Sequence, residues 1–220
     1  MFGQRNVDKH MHVPVFKEKT INQFPEEPGI TDIALVIEGR KMYTAKSVLS
    51  MASPVFRAMF SSDFKEKNEK EIELPGKVYG DFEKFLMCLS PNKCLDLDGD
   101  VIEKILPLAK EYQVDSIIGR CEIWLLKDMD VKEAREESMR DEVTFLLKSF
   151  FFGSEYKMPK IRARTLQRLV PFKLSTYKSV QPFYKDLAEK DKVDLLEARM
   201  VEIDSLSDGK TSISCYSHFW

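Results

Sequence analysis

A run of five apolar, β-prone residues, Ile33-Ala34-Leu35-Val36-Ile37, is closed at once by Glu38-Gly39. A continuous apolar run of this length predicts a strand that is buried on both faces, and the Glu-Gly pair predicts a tight turn. The segment from Arg40 to Thr44 resumes after the turn, as the second strand of a hairpin would. The rest of the chain must therefore supply helices that cover both faces of a small sheet.

Helical patterns follow the hairpin in pairs. Ser53-Pro54 predicts an N-cap and a first-turn proline for a helix that reaches Met59, and a shorter helical turn precedes it from Lys46 to Ala52. Glu71 to Leu74 alternates charged and apolar residues, which predicts a brief, half-exposed strand. Further helical stripes lie at Phe82 to Leu89, Val101 to Tyr112 and Ile117 to Leu125, with Asp100 and Glu103 spaced as in a capping box. The chain thus combines a hairpin and a short strand with pairs of helices.

The sequence pattern of the helix pair around residue 112 is repeated further along the chain. Tyr112, Val114, Ile117, Cys121 and Leu125 recur, at one constant offset, as Tyr156, Met158, Ile161, Thr165 and Leu169. Two copies are too few for a solenoid, and any helix, tight turn and helix would match about as well, so a chance likeness stays the alternative. Beyond Pro171 the pattern predicts helices around residues 179–190 and 193–203.

Charge and hydropathy exclude several classes of partner. Lys+Arg 34 against Asp+Glu 36 gives a net charge of -2, which disfavours nucleic acid, and no apolar run is long enough to span a membrane. The row Lys157, Lys160, Arg164 and Arg168 has helical spacing and could contact phosphates, but a solvated helix face is the favoured interpretation. The N-terminus lacks the apolar stretch of a signal peptide, so we expect an intracellular protein, cytoplasmic or nuclear, with reduced cysteines.

Catalytic chemistry is sparse in this sequence. The three histidines, His10, His12 and His218, lie near the ends of the chain, and neither a phosphate-binding loop nor a nucleophile elbow is present. Cys88 and Cys94 have no histidine nearby that could complete a zinc site. We therefore expect neither enzymatic activity nor a cofactor; an enzyme that relies on carboxylates alone is the remaining alternative.

The segment TDIALVIEGRKMYTAKSVLSMASPVFRAMFSSDFKEKNEKEIELPGKVYGDFEKFLMCL and the helices VIEKILPLAKEYQV and DSIIGRCEIWLL resemble the BTB/POZ domain, particularly the form found in MATH-and-BTB proteins. The resemblance covers residues 30–126, and residues 141–204 are similar to a degenerate BACK-type helical region. It implies an α+β fold, in which helical hairpins surround a small mixed sheet and an all-α extension follows. Together with the residue patterns it divides the chain into an extended lead-in over 1–29, the BTB/POZ domain over 30–126, a linker over 127–140, the BACK-like region over 141–204 and a flexible tail over 205–220. An exposed helix is the alternative for the charged stretch after residue 126.

The resemblance also implies two sites. Asp32 and Lys46 correspond to a charged pair near the family's dimer interface; the alternative is that both are ordinary surface charges worth about 0–1 kcal/mol. Phe64-Lys65-Glu66 occupies the loop in which adaptors of cullin-3 ubiquitin ligases carry a hydrophobic residue, any residue and then Glu. Met59 would add apolar surface beside that loop. The alternative for Phe64 is packing under its own domain.

The function implied is a non-enzymatic adaptor that docks on the N-terminal domain of cullin-3 and presents a protein substrate. A self-associating scaffold or corepressor subunit is the alternative. Typical dimeric members have a helix before the first strand, which Phe24-Pro25-Glu26-Glu27-Pro28-Gly29 cannot form, so a homodimer stays an open expectation. The chain holds no MATH sandwich, Kelch blades or zinc fingers, so we expect its unidentified protein cargo to meet the C-terminal helices or the N-terminal extension.

Overall fold

The computed structural model describes residues 22–61, 68–93, 95–133, 138–180 and 183–207. These residues form three strands, β1 (Ile33–Ile37), β2 (Arg40–Thr44) and β3 (Glu71–Glu73). They also form ten helices: α1 (Lys46–Ala52), α2 (Pro54–Met59), α3 (Tyr79–Leu89), α4 (Gly99–Glu111), α5 (Asp115–Glu133), α6 (Met139–Glu155), α7 (Pro159–Leu169), α8 (Leu174–Ser179), α9 (Phe183–Asp186) and α10 (Glu189–Ser207). The expected α+β fold class, with a small mixed sheet and an all-α extension, is confirmed.

The sheet has the order β2-β1-β3, so the apolar run is its central strand. β1 pairs antiparallel with β2 and parallel with β3, and Leu35 lies opposite both Met42 and Ile72. All three side chains are buried. Glu38 and Gly39 both have positive φ, at 51° and 71°, as a two-residue hairpin turn requires. On the opposite face of β1, Ala34 is buried and Val36 is half-buried, which agrees with the prediction of a first strand covered on both faces.

The repeated sequence pattern corresponds to a repeated backbone conformation. The α4–α5 and α6–α7 turns place Gln113 and Lys157 at φ 53° and 54°. The next amide in each turn reaches back five residues, from Val114 to the Ala109 carbonyl at 2.8 Å and from Met158 to the Gly153 carbonyl at 2.9 Å. This is one helix-ending motif used twice, with a buried apolar side chain after each turn. The repeated sequence pattern thus corresponds to two helical hairpins with the same turn, rather than to a chance similarity of sequence.

Packing begins earlier in the chain than the predicted boundary at residue 30. The Phe24 ring is buried, and the Tyr43 amide donates a 3.0 Å hydrogen bond to the Phe24 carbonyl. The Lys93 ammonium lies 4.8 Å from the centre of the same ring. The predicted extended lead-in is therefore packed against β2 at Phe24, while residues 1–21 lie outside the described residues.

Three further predictions differ from the structure. Residues 127–133 are the end of α5 and α6 begins at Met139, so most of the predicted linker over 127–140 is helix. The alternative of a helix therefore describes residues 127–133 better, although Met129 is fully buried within it. The α4 cap is Asp98, not Asp100: its carboxylate accepts a 2.8 Å hydrogen bond from the Val101 amide. The helix predicted over 179–190 is divided among α8, α9 and the start of α10. The last helix continues to Ser207, and residues 208–220 lie outside the described part.

Candidate functional site

The candidate site begins at α2, which is fixed to the core at its first turn. The Ser53 hydroxyl accepts a 3.1 Å hydrogen bond from the Phe56 amide and donates a 2.5 Å hydrogen bond to the Tyr112 carbonyl. The Phe56 ring stacks on the Tyr112 ring with centroids 4.5 Å apart. Burial raises the pKa of Tyr112, so its phenol stays neutral at physiological pH. The helix is therefore a rigid support for whatever follows it.

At its other end, α2 brings two apolar side chains to the surface. Met59 and Phe60 are both half-buried, and the Phe60 ring stacks on Phe56 with centroids 6.0 Å apart. The described chain stops at Ser61 and resumes at residue 68. The predicted docking residues Phe64, Lys65 and Glu66 lie outside the described residues, so their role stays a prediction; Met59 is placed immediately before them.

Lys46 holds both ends of that loop. Its ammonium donates a 2.8 Å hydrogen bond to the Glu69 carbonyl, on the far side of residues 62–67. The same ammonium lies 5.5 Å from the centre of the Phe60 ring, on the near side. A cation over an aromatic face is attracted to it, so one side chain fixes the points where the chain leaves and re-enters the domain.

The Asp32 carboxylate contacts the backbone amide of Lys46. The Lys46 amide, in the first turn of α1, donates a 2.7 Å hydrogen bond to the exposed Asp32 carboxylate. This contact joins the residue before β1 to the helix after β2 and leaves the Lys46 ammonium directed to the loop. The predicted charged pair at a dimer interface stays a prediction.

Sequence reasoning missed the two ammonium contacts of Lys46. The spacing of Phe60, four residues after Phe56, indicates that the two rings share a face of the helix, but it gives no sign of a cation over the Phe60 ring. The partnership of Lys46 with Glu69 carries no local signal, because 23 positions separate the two residues.

Two members of the basic row, Arg164 and Arg168 on α7, are engaged with acidic residues. Arg164 pairs with Asp130 at 2.5 Å, and Arg168 pairs with Glu142 at 2.6 Å and with Glu133 at 3.3 Å. These contacts tie α7 to α5 and α6. These two arginines therefore have a structural role in the packing of the C-terminal helices.

The described residues offer little for catalysis. Among them, no group of three or more His, Cys, Asp or Glu side chains could hold a metal ion. Burial raises the pKa of the Cys121 thiol to about 12, and the pKa of Cys88 is also raised by burial. Both thiols are therefore protonated and weakly nucleophilic at neutral pH.

A cleft of about 290 Å³ opens between α4, α5 and α6. Trp124, Phe145 and Phe152 contribute aromatic surface to its walls, and the lining is mainly apolar. At its edge Lys148 is paired with Glu103, and Lys132 lies 3.9 Å from Asp128. These paired charges and aromatic walls form a feature of packing between the two halves of the chain, without an arranged acid and base.

None of the helices in the described ranges is long and apolar enough to cross a lipid bilayer.

Residues 21–128 match the family model of the BTB/POZ domain. The chain is 27% identical over 173 residues to BTB and MATH domain-containing protein 38 of Caenorhabditis elegans, covering 78% of this chain and 41% of that protein. It is 24% identical over 188 residues to BTB and MATH domain-containing protein 36 of the same organism, covering 82% and 54% respectively. BTB and MATH domain-containing protein 15, also from C. elegans, is 32% identical over 122 residues, or 55% of this chain and 44% of that protein. The chain thus spans about half the length of these relatives.

Proposed function

Since the chain belongs over residues 21–128 to the BTB/POZ domain family, a family of protein-interaction domains, we propose that it is a non-enzymatic adaptor that docks on the N-terminal domain of cullin-3. Phe64 and Glu66 would make the central contacts and Met59 would extend them. Burying one exposed aromatic side chain in a partner contributes about 1.5–3 kcal/mol, enough to dominate a small interface. The protein would act inside the cell, in the cytoplasm or the nucleus.

The observation that carries this proposal is the bracing of the loop by Lys46. A docking loop binds more tightly when its ends are held, because less conformational freedom is lost on binding. The Lys46 ammonium contacts the Phe60 ring at 5.5 Å and the Glu69 carbonyl at 2.8 Å, one on each side of residues 62–67. On this proposal Phe64 and Glu66 carry the recognition, and Lys65 is the residue between them that the motif leaves unspecified.

Homotypic assembly is the second candidate function, and exposed apolar residues near β1 favour it. Ile30, just before β1, is 66% exposed, and Met51 on α1 is 82% exposed. The Asp32–Lys46 hydrogen bond joins these two regions. A second copy that covered them would give the self-associating scaffold or corepressor subunit, with the charged pair at its interface.

A calorimetric titration with the purified cullin-3 N-terminal domain tests the adaptor proposal. We expect sub-micromolar binding, a loss of at least about tenfold for Phe64→Ala and for Glu66→Ala, and little change for the neighbouring control Lys65→Ala. Lys46→Met should weaken binding less than Phe64→Ala, because it releases the loop ends and leaves the contacts in place.

Each variant must keep the melting temperature of the parent, so that a loss of binding reports the interface. No heat and no complex at tens of micromolar would overturn the adaptor proposal. Light scattering on the same samples separates the two candidates: a monomer argues against the scaffold, whereas a dimer that Met51→Asp dissociates supports it.

A further inference from the structure

The cleft between α4, α5 and α6 contains one polar group that the packing of the helices does not explain. Ser149 of α6 lines the cleft, and only 1% of its surface is exposed. Among the described residues, none makes a hydrogen bond with its hydroxyl. Thr144 on the same helix and Thr165 on α7 instead donate to the carbonyl four residues earlier, at 2.6 and 2.7 Å. The Ser149 hydroxyl therefore has its hydrogen-bonding capacity available on the cleft side.

The charged side chains of the cleft are matched within the protein. Its lining contains Asp98, Asp128, Lys132 and Lys148, two acids and two bases. Lys148 is paired with Glu103, and Lys132 lies 3.9 Å from Asp128. The Asp98 carboxylate caps the first turn of α4. Because these charges balance, the lining selects neither an anion nor a cation, and a charged ligand would lose hydration without a matching gain.

The aromatic walls are held in place by the same lysines. The Lys132 ammonium lies 5.2 Å from the centre of the Phe145 ring, and the Lys148 ammonium lies 5.9 Å from the centre of the Phe152 ring. A cation over an aromatic face is attracted to it, so these contacts restrain both rings. A site whose walls are already ordered loses less conformational freedom when a ligand binds.

Size and lining together indicate the class of ligand. A volume of about 290 Å³ is at the lower end of the range for small-molecule sites, which suits a compact molecule rather than a large cofactor. Water can satisfy the Ser149 hydroxyl in the free protein, so a ligand gains affinity if it replaces that hydrogen bond and covers the apolar walls. We propose that the cleft binds a small, uncharged aromatic molecule whose N–H or O–H group meets the Ser149 hydroxyl.

This site is separate from the proposed cullin-docking surface, because none of its lining residues belongs to α1 or α2. The inference therefore goes beyond the adaptor proposal and stands without it. The cleft lies where α6 packs against the end of the BTB/POZ match at residue 128. A ligand that binds the folded state there would stabilise the packing of α6 on that domain.

Indole and N-methylindole are suitable probes, because both are uncharged and planar and only indole has an N–H donor. We expect NMR titrations of the isotope-labelled full chain to give a dissociation constant of about 0.1–1 mM for indole, with the shifted amides confined to α4, α5 and α6. Ser149→Ala should weaken indole binding at least about threefold and change N-methylindole binding by less than about 1.5-fold. Tryptamine and indoleacetate, which add a positive and a negative charge to the same ring, should bind no more tightly than indole.

Ser179→Ala is the matched control, because it removes an exposed hydroxyl that bonds to Thr176 in its own turn; both affinities should stay unchanged. Ser149→Ala should not lower the melting temperature, since the hydroxyl it removes has no hydrogen bond to a described residue. A lower melting temperature would overturn the proposal by showing that this hydroxyl serves the fold. The proposal also fails if neither probe shifts the cleft amides at about 5 mM, if Ser149→Ala affects both probes alike, or if a charged probe binds at least about tenfold more tightly than indole.

Discussion

Ser53 shows how much one small side chain can hold together. It lies between α1 and α2 with no exposed surface, and its hydroxyl both accepts from the Phe56 amide and donates to the Tyr112 carbonyl. Tyr112 follows α4, so a single oxygen connects the support of the candidate site to the helical hairpins on the other side of the core. Without the Ser53 hydroxyl, the Phe56 amide and the Tyr112 carbonyl would each be a buried polar group that has lost this hydrogen bond.

Ser53→Ala should therefore lower the free energy of unfolding by about 1–3 kcal/mol, because the cap of α2 and the bond to Tyr112 are lost together. Urea denaturation followed by circular dichroism measures the change. Ser179→Ala is the control: this hydroxyl is exposed and bonds to Thr176 within its own turn, so the change should stay within about 0.5 kcal/mol. Equal effects of the two substitutions would contradict the role given to Ser53.

At the scale of elements, the two like hairpins differ at one informative position. Ala109 in α4 and Gly153 in α6 supply the carbonyls that accept the hydrogen bond after each turn. Ala109 is buried with its methyl group in place, whereas a Cβ at Gly153 would lie 2.7 Å from the Arg162 Cβ and 2.8 Å from its Cα. The α6–α7 pair is therefore packed more closely here, where Gly153 faces the backbone of Arg162. Arg162 is also the α7 residue whose guanidinium bonds to Asp191 of α10.

Gly153→Ala should destabilise the protein by at least about 1 kcal/mol, because the clash with the Arg162 backbone outweighs the gain in helix propensity. Gly119→Ala in α5 is the matched control, since a Cβ there has open space. This control should stabilise by about 0.5–1 kcal/mol. Thermal melts of both variants would reveal the opposite signs, and stabilisation by both would mean that α6 and α7 separate freely.

The elements that the sequence predicts well are those specified by neighbouring residues. The turn at Glu38-Gly39 and the cap at Ser53-Pro54 depend on a few adjacent side chains, and both are found where expected. The predicted cap at Asp100 is misplaced by two residues, because Asp98 has the same chemistry. The burial of Phe24 and the reach of Lys46 to Glu69 depend on residues distant in the chain, so no local pattern indicates them.

On the scale of the whole molecule, the two halves share one apolar core. The buried cluster extends without interruption from Phe24 beside β2 to Leu195 on α10. Met129 is central to this continuity, because it is buried at the end of α5 in a stretch that the sequence suggested was a linker. The helical extension is thus packed on the BTB/POZ domain and not merely attached to it.

Heating should consequently unfold the protein in one cooperative transition. Calorimetry should give equal calorimetric and van't Hoff enthalpies. Leu146→Ala, which removes a fully buried side chain of α6, should cost about 2–5 kcal/mol and shift the entire transition. Two resolved transitions, of which the substitution moves only one, would mean that the halves unfold independently.

The parallel pairing of β1 with β3 has a consequence for biosynthesis. The central strand β1 (Ile33–Ile37) and its hairpin partner β2 leave the ribosome before β3 (Glu71–Glu73), the other strand that pairs with β1. β3 emerges only after α1, α2 and the loop have been made. During that interval one edge of the most apolar strand is open, as in any unpaired strand that invites association with other chains. The nascent protein is therefore most vulnerable to aggregation while the very segment proposed to recognise its partner is being synthesised.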